Sequence, residues 1–167
     1  MVHWEHGDLL ASDCTYICHQ VNCQGRMGSG IAKQIKERWP VVYDAYISAY
    51  KDREDEILRN CGGFEHMPDV SETLLGYLQK VPVNEEQVVI NMFAQQYYGY
   101  DGKRYTSYDA FWACLGGIRD SVPKGSKIGF PWQIGCGLGG ANWEVIMTMI
   151  EEVLAEDFEV YIYILEV

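Results

Sequence analysis

Two glycine-rich segments constrain the fold of this chain more than any other feature of its sequence. The first, "HQVNCQGRMGSGIAKQI" at residues 19–35, follows a β-branched and aromatic run and leads into an amphipathic pattern. The second, "IGCGLGGANW" at residues 134–143, also connects a predicted strand to a predicted helix. Glycine tolerates positive φ angles and lets another group approach the backbone closely. Each segment is therefore predicted to be a loop at the carboxyl end of a strand, where open α/β sheets bind their ligands.

The periodic patterns along the chain predict an α/β fold. Runs rich in β-branched and aromatic residues predict strands over residues 2–6, 15–21, 74–81, 88–93, 127–132 and 160–165. Apolar residues spaced three or four apart predict helices over residues 29–39 and 108–118, with Thr106 as the expected N-cap of the second. Asn142 is the expected N-cap of a last amphipathic helix. Strands that alternate with helices favour one layered domain with a mixed sheet, which we expect to span residues 1–167.

Composition narrows the class of protein. The net charge of −11, without a basic stripe, argues against a nucleic-acid groove. The six cysteines form no CxxC pair, so they are expected to be free thiols rather than zinc ligands or disulfides. No apolar run reaches the ~20 residues of a membrane span, and the beginning of the chain lacks the apolar region of a signal peptide. We therefore expect a cytoplasmic protein with no membrane partner.

An acidic chain can still hold a phosphorylated ligand through its backbone. The N-terminus of a helix presents unpaired N–H groups and the positive end of the helix dipole. Two glycine loops of this kind at one edge of a sheet suit a diphosphate better than a single phosphate. Familiar nucleotide motifs fit poorly, because the first loop reads G-x-x-G-x-G and neither loop contains G-K-[ST]. Either loop could alternatively be a simple tight connection.

Five sequence blocks resemble the macrodomains, a family of ADP-ribose-binding proteins. The blocks are "GDLL" at 7–10, "VNCQGRMGSGIA" at 21–32, "INMFAQ" at 90–95, "IGCGLGG" at 134–140 and "VYIYIL" at 160–165. The resemblance covers nearly the whole chain and is greatest to the branch of ADP-ribose-1″-phosphate phosphatases and phage or bacterial relatives. It implies a three-layer α/β/α fold with a central mixed, mostly parallel sheet of about six strands.

The resemblance also implies which residues bind ADP-ribose. Asp8 is expected to accept a hydrogen bond from the adenine amino group, with the Leu9 N–H beside the ring and Tyr163 flanking it. Asn22 is expected to bind the distal ribose. The diphosphate is expected to lie between the two loops, which contribute Gly25, Gly28, Gly30, Ile31, Gly135, Cys136, Gly137, Leu138, Gly139 and Gly140.

The same residue types have simpler interpretations. Aspartate after glycine at the end of a strand is commonly a turn former, which is the alternative for Asp8. Alternate residues of a strand face the core, which is the alternative for Tyr163. Asn22 could satisfy a loop carbonyl group instead of a ligand.

Catalysis is the least constrained part of the hypothesis. The glutamate-specific hydrolases of the family use a lysine and an aspartate at positions that match Gln95 and Gly139 here, and neither can act as a nucleophile or general base. Asn22 and His19 are the candidate catalytic residues, although His19 is alternatively a buried structural histidine. A water activated by the phosphate of the ligand itself would need no side-chain base.

Three functions therefore stay open. The first is an ADP-ribose-binding hydrolase that acts on a 1″-phosphate or an ADP-ribosyl linkage, without a metal or cofactor. The second is a non-catalytic reader of ADP-ribose, and the third is a generic nucleotide-phosphate pocket in an interaction scaffold. The expected partners are ADP-ribose, ADP-ribose-1″-phosphate or an ADP-ribosylated macromolecule, with nucleic acid included only when it is ADP-ribosylated.

Overall fold

The computed structural model describes residues 1–63, 65 and 67–166. Six strands and five α-helices make up this part of the chain. In chain order the elements are β1 (Val2–His6), β2 (Tyr16–Asn22), α1 (Gly30–Arg38), α2 (Pro40–Asn60), α3 (Val70–Leu74), β3 (Leu78–Pro82), β4 (Val88–Gln95), α4 (Tyr108–Ser121), β5 (Lys127–Pro131), α5 (Trp143–Leu154) and β6 (Glu159–Ile164). A short 3₁₀ turn, Leu9–Ala11, follows β1. Within the described residues, no helix is long and apolar enough to cross a membrane.

The six strands form one sheet in the order β1-β6-β5-β2-β4-β3. Four neighbouring pairs are parallel, and only β3 runs antiparallel to its neighbour β4. The register between β2 and β4 shifts between Val21 and Asn22, so that Asn22 pairs with Gln95. Because β1, β2, β4, β5 and β6 all run the same way, their carboxyl ends and the loops that follow them meet at one edge of the sheet.

Each face of the sheet carries its own hydrophobic core. Helices α4 and α5 cover one face, where Phe111 and Ile150 pack against strand residues such as Ile90 and Phe130. Helices α1, α2 and α3 cover the other face, where Tyr46 packs beside Phe93. Alternate residues of β2 divide between the two cores, as the two-residue period of a strand requires. The three layers confirm the predicted α/β/α fold class with a mixed, mostly parallel sheet.

Local differences from the sequence prediction have identifiable causes. The strand predicted over residues 74–81 begins only at Leu78, because Asp69 caps a short helix, α3, that ends at Leu74. Ser107, not Thr106, caps α4, since the Ser107 hydroxyl accepts the Ala110 N–H at 3.1 Å. Helix α4 continues through two adjacent glycines, Gly116 and Gly117, to Ser121.

A buried chain of polar side chains crosses the sheet beneath α2. His19 Nε2 donates to Asn91 Oδ1 at 2.5 Å, Asn91 Nδ2 donates to Gln79 Oε1 at 3.0 Å, and Gln79 Nε2 donates to the Ala45 carbonyl at 2.8 Å. His19 Nδ1 has no partner among the described residues. Burial therefore lowers the pKa of His19 from 6.5 to about 4, although the hydrogen bond to Asn91 opposes the shift.

This depressed pKa makes stability depend on pH. Below pH 6.5 the unfolded chain protonates His19 while the folded protein does not, so stability is full above pH 6.5 and falls toward pH 4. The shift corresponds to about 3 kcal/mol. We expect urea midpoints measured between pH 7.5 and 4.5 to fall less steeply for His19→Gln than for the wild type. Parallel slopes for the His19 variant and the wild type would contradict this assignment.

Candidate functional site

A groove of about 530 Å³ lies at the edge of the sheet where the parallel strands end. Its floor includes Gln20 and Gln95 from the ends of β2 and β4. One wall is the loop between β2 and α1, and the opposite wall is the loop between β5 and α5. The rim carries Tyr98 and Tyr100 from the loop after β4. The two glycine-rich loops of the sequence are thus the two walls of one groove.

Asn22 organises the first wall from inside the loop. Its Oδ1 accepts the Gln24 N–H at 3.0 Å and the Tyr46 hydroxyl at 2.8 Å, and its Nδ2 donates to the Arg26 carbonyl at 2.8 Å. Tyr46 is fully buried, and its hydroxyl also accepts the Arg26 N–H at 3.0 Å. Asn22 lines the groove, but most of its hydrogen-bonding capacity holds the loop together.

The N-terminus of α1 offers unpaired donors to the groove. Ser29 is the N-cap residue, and its side chain makes no capping hydrogen bond. Within the described residues, the N–H groups of Gly30, Ile31 and Ala32 donate to no acceptor. All three residues line the groove. This end of α1 therefore presents the partial positive charge and the free donors that bind anions.

The second wall offers a further set of unpaired donors. In the described part of the chain, no acceptor is found for the N–H groups of Gly135, Gly137, Leu138 and Gly139. These four residues also line the groove. By contrast, the N–H groups of the adjacent Cys136 and Gly140 are bonded within the loop. Two facing groups of backbone donors, without any metal or lysine, thus border the same groove.

Buried side chains fix the second wall from below. Gln20 Nε2 donates to Gln95 Oε1 at 2.9 Å and to Thr106 Oγ1 at 2.8 Å, and Thr106 Oγ1 donates to the Gly135 carbonyl at 2.8 Å. The N–H of Thr106 donates to the Gly139 carbonyl at 2.9 Å. A Cβ at Gly139 would collide with Thr106 Oγ1 and lie 2.5 Å from the Gly135 carbonyl oxygen. Only glycine fits this position.

The groove brings together most of the ligand-binding residues predicted from the sequence. Those that line it are Asn22, Gly28, Gly30, Ile31, Gly135, Gly137, Leu138 and Gly139. Those outside its lining are Asp8, Leu9, Gly25, Cys136, Gly140 and Tyr163. Gly25 and Gly140 adopt positive φ angles of 77° and 68°, so they shape the two loops. The Cys136 thiol donates to the Ile134 carbonyl at 3.5 Å, and burial raises its pKa.

The residues that were predicted to bind adenine lie at the ends of β1 and β6, outside the groove lining. Asp8 is exposed, and its Oδ1 accepts the Leu10 N–H at 2.9 Å, which is the turn-forming role. Leu9 is buried against β5. Tyr163 is half-buried, and its carbonyl accepts the N–H of the groove residue Trp132 at 2.8 Å.

The structure does not support a direct role for His19. The side chain is fully buried between the sheet and α2, bonded to Asn91, and does not line the groove. In β2, Ile17 and Val21 share its core, whereas Gln20 points to the groove. His19 is thus a structural histidine, which corrects its candidacy as a catalytic residue.

Several groove residues were not predicted as site residues from the sequence. They include Gln20, Arg26, Tyr98, Tyr100, Pro131, Trp132 and Gln133. Gln20, Pro131 and Trp132 could have been found, because each lies at or next to the carboxyl end of a strand. The tyrosines come from an irregular loop, whose path no periodic pattern specifies.

The chemistry of the lining is that of a binding site. Of the described residues that line the groove, Arg26, Tyr98 and Tyr100 are the ones with ionisable side chains. None of the lining residues is an aspartate, glutamate, histidine or lysine. In the described ranges, no group of three or more metal-ligating side chains is placed to hold a metal ion.

Comparison with known sequences finds similarity to DNA ADP-ribosyl glycohydrolases. No protein-family model matches the chain. A DNA ADP-ribosyl glycohydrolase of Mycobacterium tuberculosis is 44% identical over 54 residues, which is 32% of this chain and 15% of that protein. A DNA ADP-ribosyl glycohydrolase of Thermus aquaticus is 23% identical over 98% of this chain, which spans 41% of its length. The chain therefore spans less than half the length of either relative.

Solved structures extend the comparison to the fold. A Bacteroides thetaiotaomicron protein of unknown function is 28% identical, with a TM-score of 0.76 over 98% of both chains. The macrodomain of Thermus aquaticus DarG is 21% identical, with a TM-score of 0.71 over 98% of this chain and 97% of that one. Thermosipho africanus DarTG in complex with ADP-ribose is 19% identical, with a TM-score of 0.70 over 95% of this chain and 40% of that one. The chain therefore has the fold of these macrodomains.

Proposed function

We propose that the chain binds ADP-ribose in the groove between its two glycine loops. The observation that carries this proposal is the pair of facing donor groups, at Gly30–Ala32 and at Gly135, Gly137, Leu138 and Gly139, whose N–H groups have no acceptor in the described protein. Backbone N–H groups left unpaired are costly unless water or a ligand accepts their hydrogen bonds. A diphosphate between the two walls supplies acceptor oxygens to both.

The strands that the groove residues terminate indicate where the distal ribose and the adenine of the ligand would lie. Asn22 and Gln95 are paired at the ends of β2 and β4, whereas Pro131 and Trp132 lie at the carboxyl end of β5, where Pro131 pairs with Tyr163 of β6. We place the distal ribose at the Asn22 end and the adenine beyond Trp132, where Asp8, the Leu9 N–H and Tyr163 would contact it. The groove volume of about 530 Å³ is within the range of small-molecule sites, ~300–1,000 Å³.

A second candidate function is hydrolysis of a bond at the distal ribose. The DNA ADP-ribosyl glycohydrolase relatives favour this candidate, whereas the lining residues of the described groove include no general base. Hydrolysis would then use a water held near Asn22, Gln20 and Gln95 and activated by the ligand. Nucleic acid would be a partner of this acidic chain only as an ADP-ribosylated substrate, and ADP-ribose-1″-phosphate or an ADP-ribosylated protein are the alternatives.

The first prediction concerns the ligand. Calorimetry should give a micromolar dissociation constant for ADP-ribose, about −8 kcal/mol, and much weaker binding of AMP. AMP lacks the second phosphate and the distal ribose, so it cannot contact both walls. Equal affinities for the two ligands would show that the second wall does not bind a phosphate.

The second prediction concerns Gly137. A Cβ at this position would meet no protein atom within 4 Å, so Gly137→Val should keep the wild-type melting temperature. The branched side chain would occupy the space where the diphosphate approaches the backbone, and ADP-ribose binding should be lost. Gly137→Ala is the matched control and should weaken binding less. Wild-type affinity in Gly137→Val would show that the second glycine loop only connects β5 to α5 and does not bind the diphosphate.

The third prediction concerns catalysis. With an ADP-ribosylated DNA oligonucleotide as substrate, no covalent adduct of ADP-ribose should form, because no lysine is among the described residues lining the groove. If ADP-ribose is released, Asn22→Ala should lower the rate by about 10²-fold through lost positioning, and His19→Gln should change it less than about twofold per folded molecule. Intact-protein mass spectrometry and chromatography of the products test both points. A mass increase of one ADP-ribosyl unit would disprove the base-free mechanism.

A further inference from the structure

One residue of the groove has a backbone conformation that its side chain disfavours. Gln133 has a φ of 58°, and no other non-glycine residue in the described ranges has a positive φ. The remaining positive φ angles there belong to ten glycines. A left-handed conformation is strained for residues that carry a Cβ.

The local turn does not account for glutamine at this position. The Ile134 N–H donates to the Pro131 carbonyl at 3.1 Å, so Gln133 is the third residue of a four-residue turn. Turns with a positive φ at the third position favour glycine or asparagine. The Gln133 carbonyl also accepts the Cys136 N–H at 2.9 Å, which glycine would do equally well.

The side chain of Gln133 is exposed and lines the groove. Its amide makes no hydrogen bond with any described residue, so no contact inside that part of the protein offsets the strain. Strained residues with free functional groups concentrate at ligand-binding sites, where the contact with the ligand compensates the cost. The position therefore indicates a role in binding.

The place of Gln133 in the groove identifies the group that it faces. On one side is Trp132, whose N–H is bonded to the carbonyl of Tyr163 at the adenine end. On the other side is Gly135, the first of the unpaired donors of the second wall. In the proposed binding mode, the group between adenine and diphosphate is the proximal ribose.

We infer that Gln133 is a specificity-determining residue that binds the hydroxyl groups of the proximal ribose. Its carboxamide offers an acceptor oxygen and two N–H donors, which match the two neighbouring hydroxyls of a ribose. The strained backbone aims this amide into the groove at the point where the sugar lies. The inference rests on the proposed binding of ADP-ribose.

Ligand analogues that lack single hydroxyls test the inference. Calorimetry would compare ADP-ribose with its 2′-deoxyadenosine and 3′-deoxyadenosine analogues, for the wild type and for Gln133→Ala. The wild type should bind at least one analogue about fivefold more weakly than ADP-ribose, as expected for one lost hydrogen bond. Gln133→Ala should bind ADP-ribose about fivefold more weakly and distinguish the analogues by less than about twofold.

Two further variants separate this role from a structural one. Gln133→Gly should bind ADP-ribose as weakly as Gln133→Ala does. Its melting temperature should be about 2–4 °C higher than that of Gln133→Ala, because glycine relieves the strain. Gly125→Gln is the matched control: Gly125 has a φ of 85° in open space near the amino end of β5. It should melt lower than the wild type and keep its affinity.

The possible failures are distinguishable. A wild type that binds ADP-ribose and both deoxy analogues equally overturns the role of Gln133, and so does an alanine variant that keeps the wild-type discrimination. A wild type that does not bind ADP-ribose at all refutes the proposed function itself.

Discussion

The second glycine loop has N–H groups free for a ligand because its carbonyl groups are bonded within the protein. The Gly139 carbonyl accepts two N–H groups, from Tyr105 and Thr106, and the Gly135 carbonyl accepts the Thr106 hydroxyl and the Ala141 N–H. These bonds hold the loop in an open conformation that its own sequence, four glycines in six residues, would not maintain. The long loop after β4 supplies Tyr105 and Thr106, and so one wall of the groove depends on a distant segment.

Neutral donors explain how a chain with a net charge of −11 can bind a dianion. A cluster of lysines would be weakened by the surrounding carboxylates, whereas backbone N–H groups act only over short distances and require no charged neighbours. The helix dipole of α1 adds a local positive potential at the same place. Arg26 is the single described residue of the groove with a full positive charge. In the proposed binding mode, selectivity for a diphosphate thus comes from the positions of the donors rather than from net charge.

The sequence predicted the layers of the fold because they depend on local patterns, and it predicted the groove less completely. The first glycine segment, Asn142 as a helix cap and the closing strand β6 were found from spacing and residue type. The start of β3 was missed because the capping of α3 by Asp69 interrupts an apolar run. Gln133 was missed because its conformation depends on a φ angle that the residue type does not indicate. The sequence left His19 open between a catalytic and a buried structural role, because its partner Asn91 is 72 residues away.

The separation of His19 from the groove also separates two effects of pH. The unpaired donors at Gly30–Ala32 and at Gly135, Gly137, Leu138 and Gly139 are backbone amides, which do not titrate between pH 4 and 8. The stability of the fold, in contrast, depends on a buried imidazole whose pKa is held at about 4 by burial. We therefore expect acidification to pH 5 to act on the amount of folded protein and not on these backbone donors. A loss of binding in mildly acidic solution would reflect unfolding of the sheet beneath α2, not titration of the site.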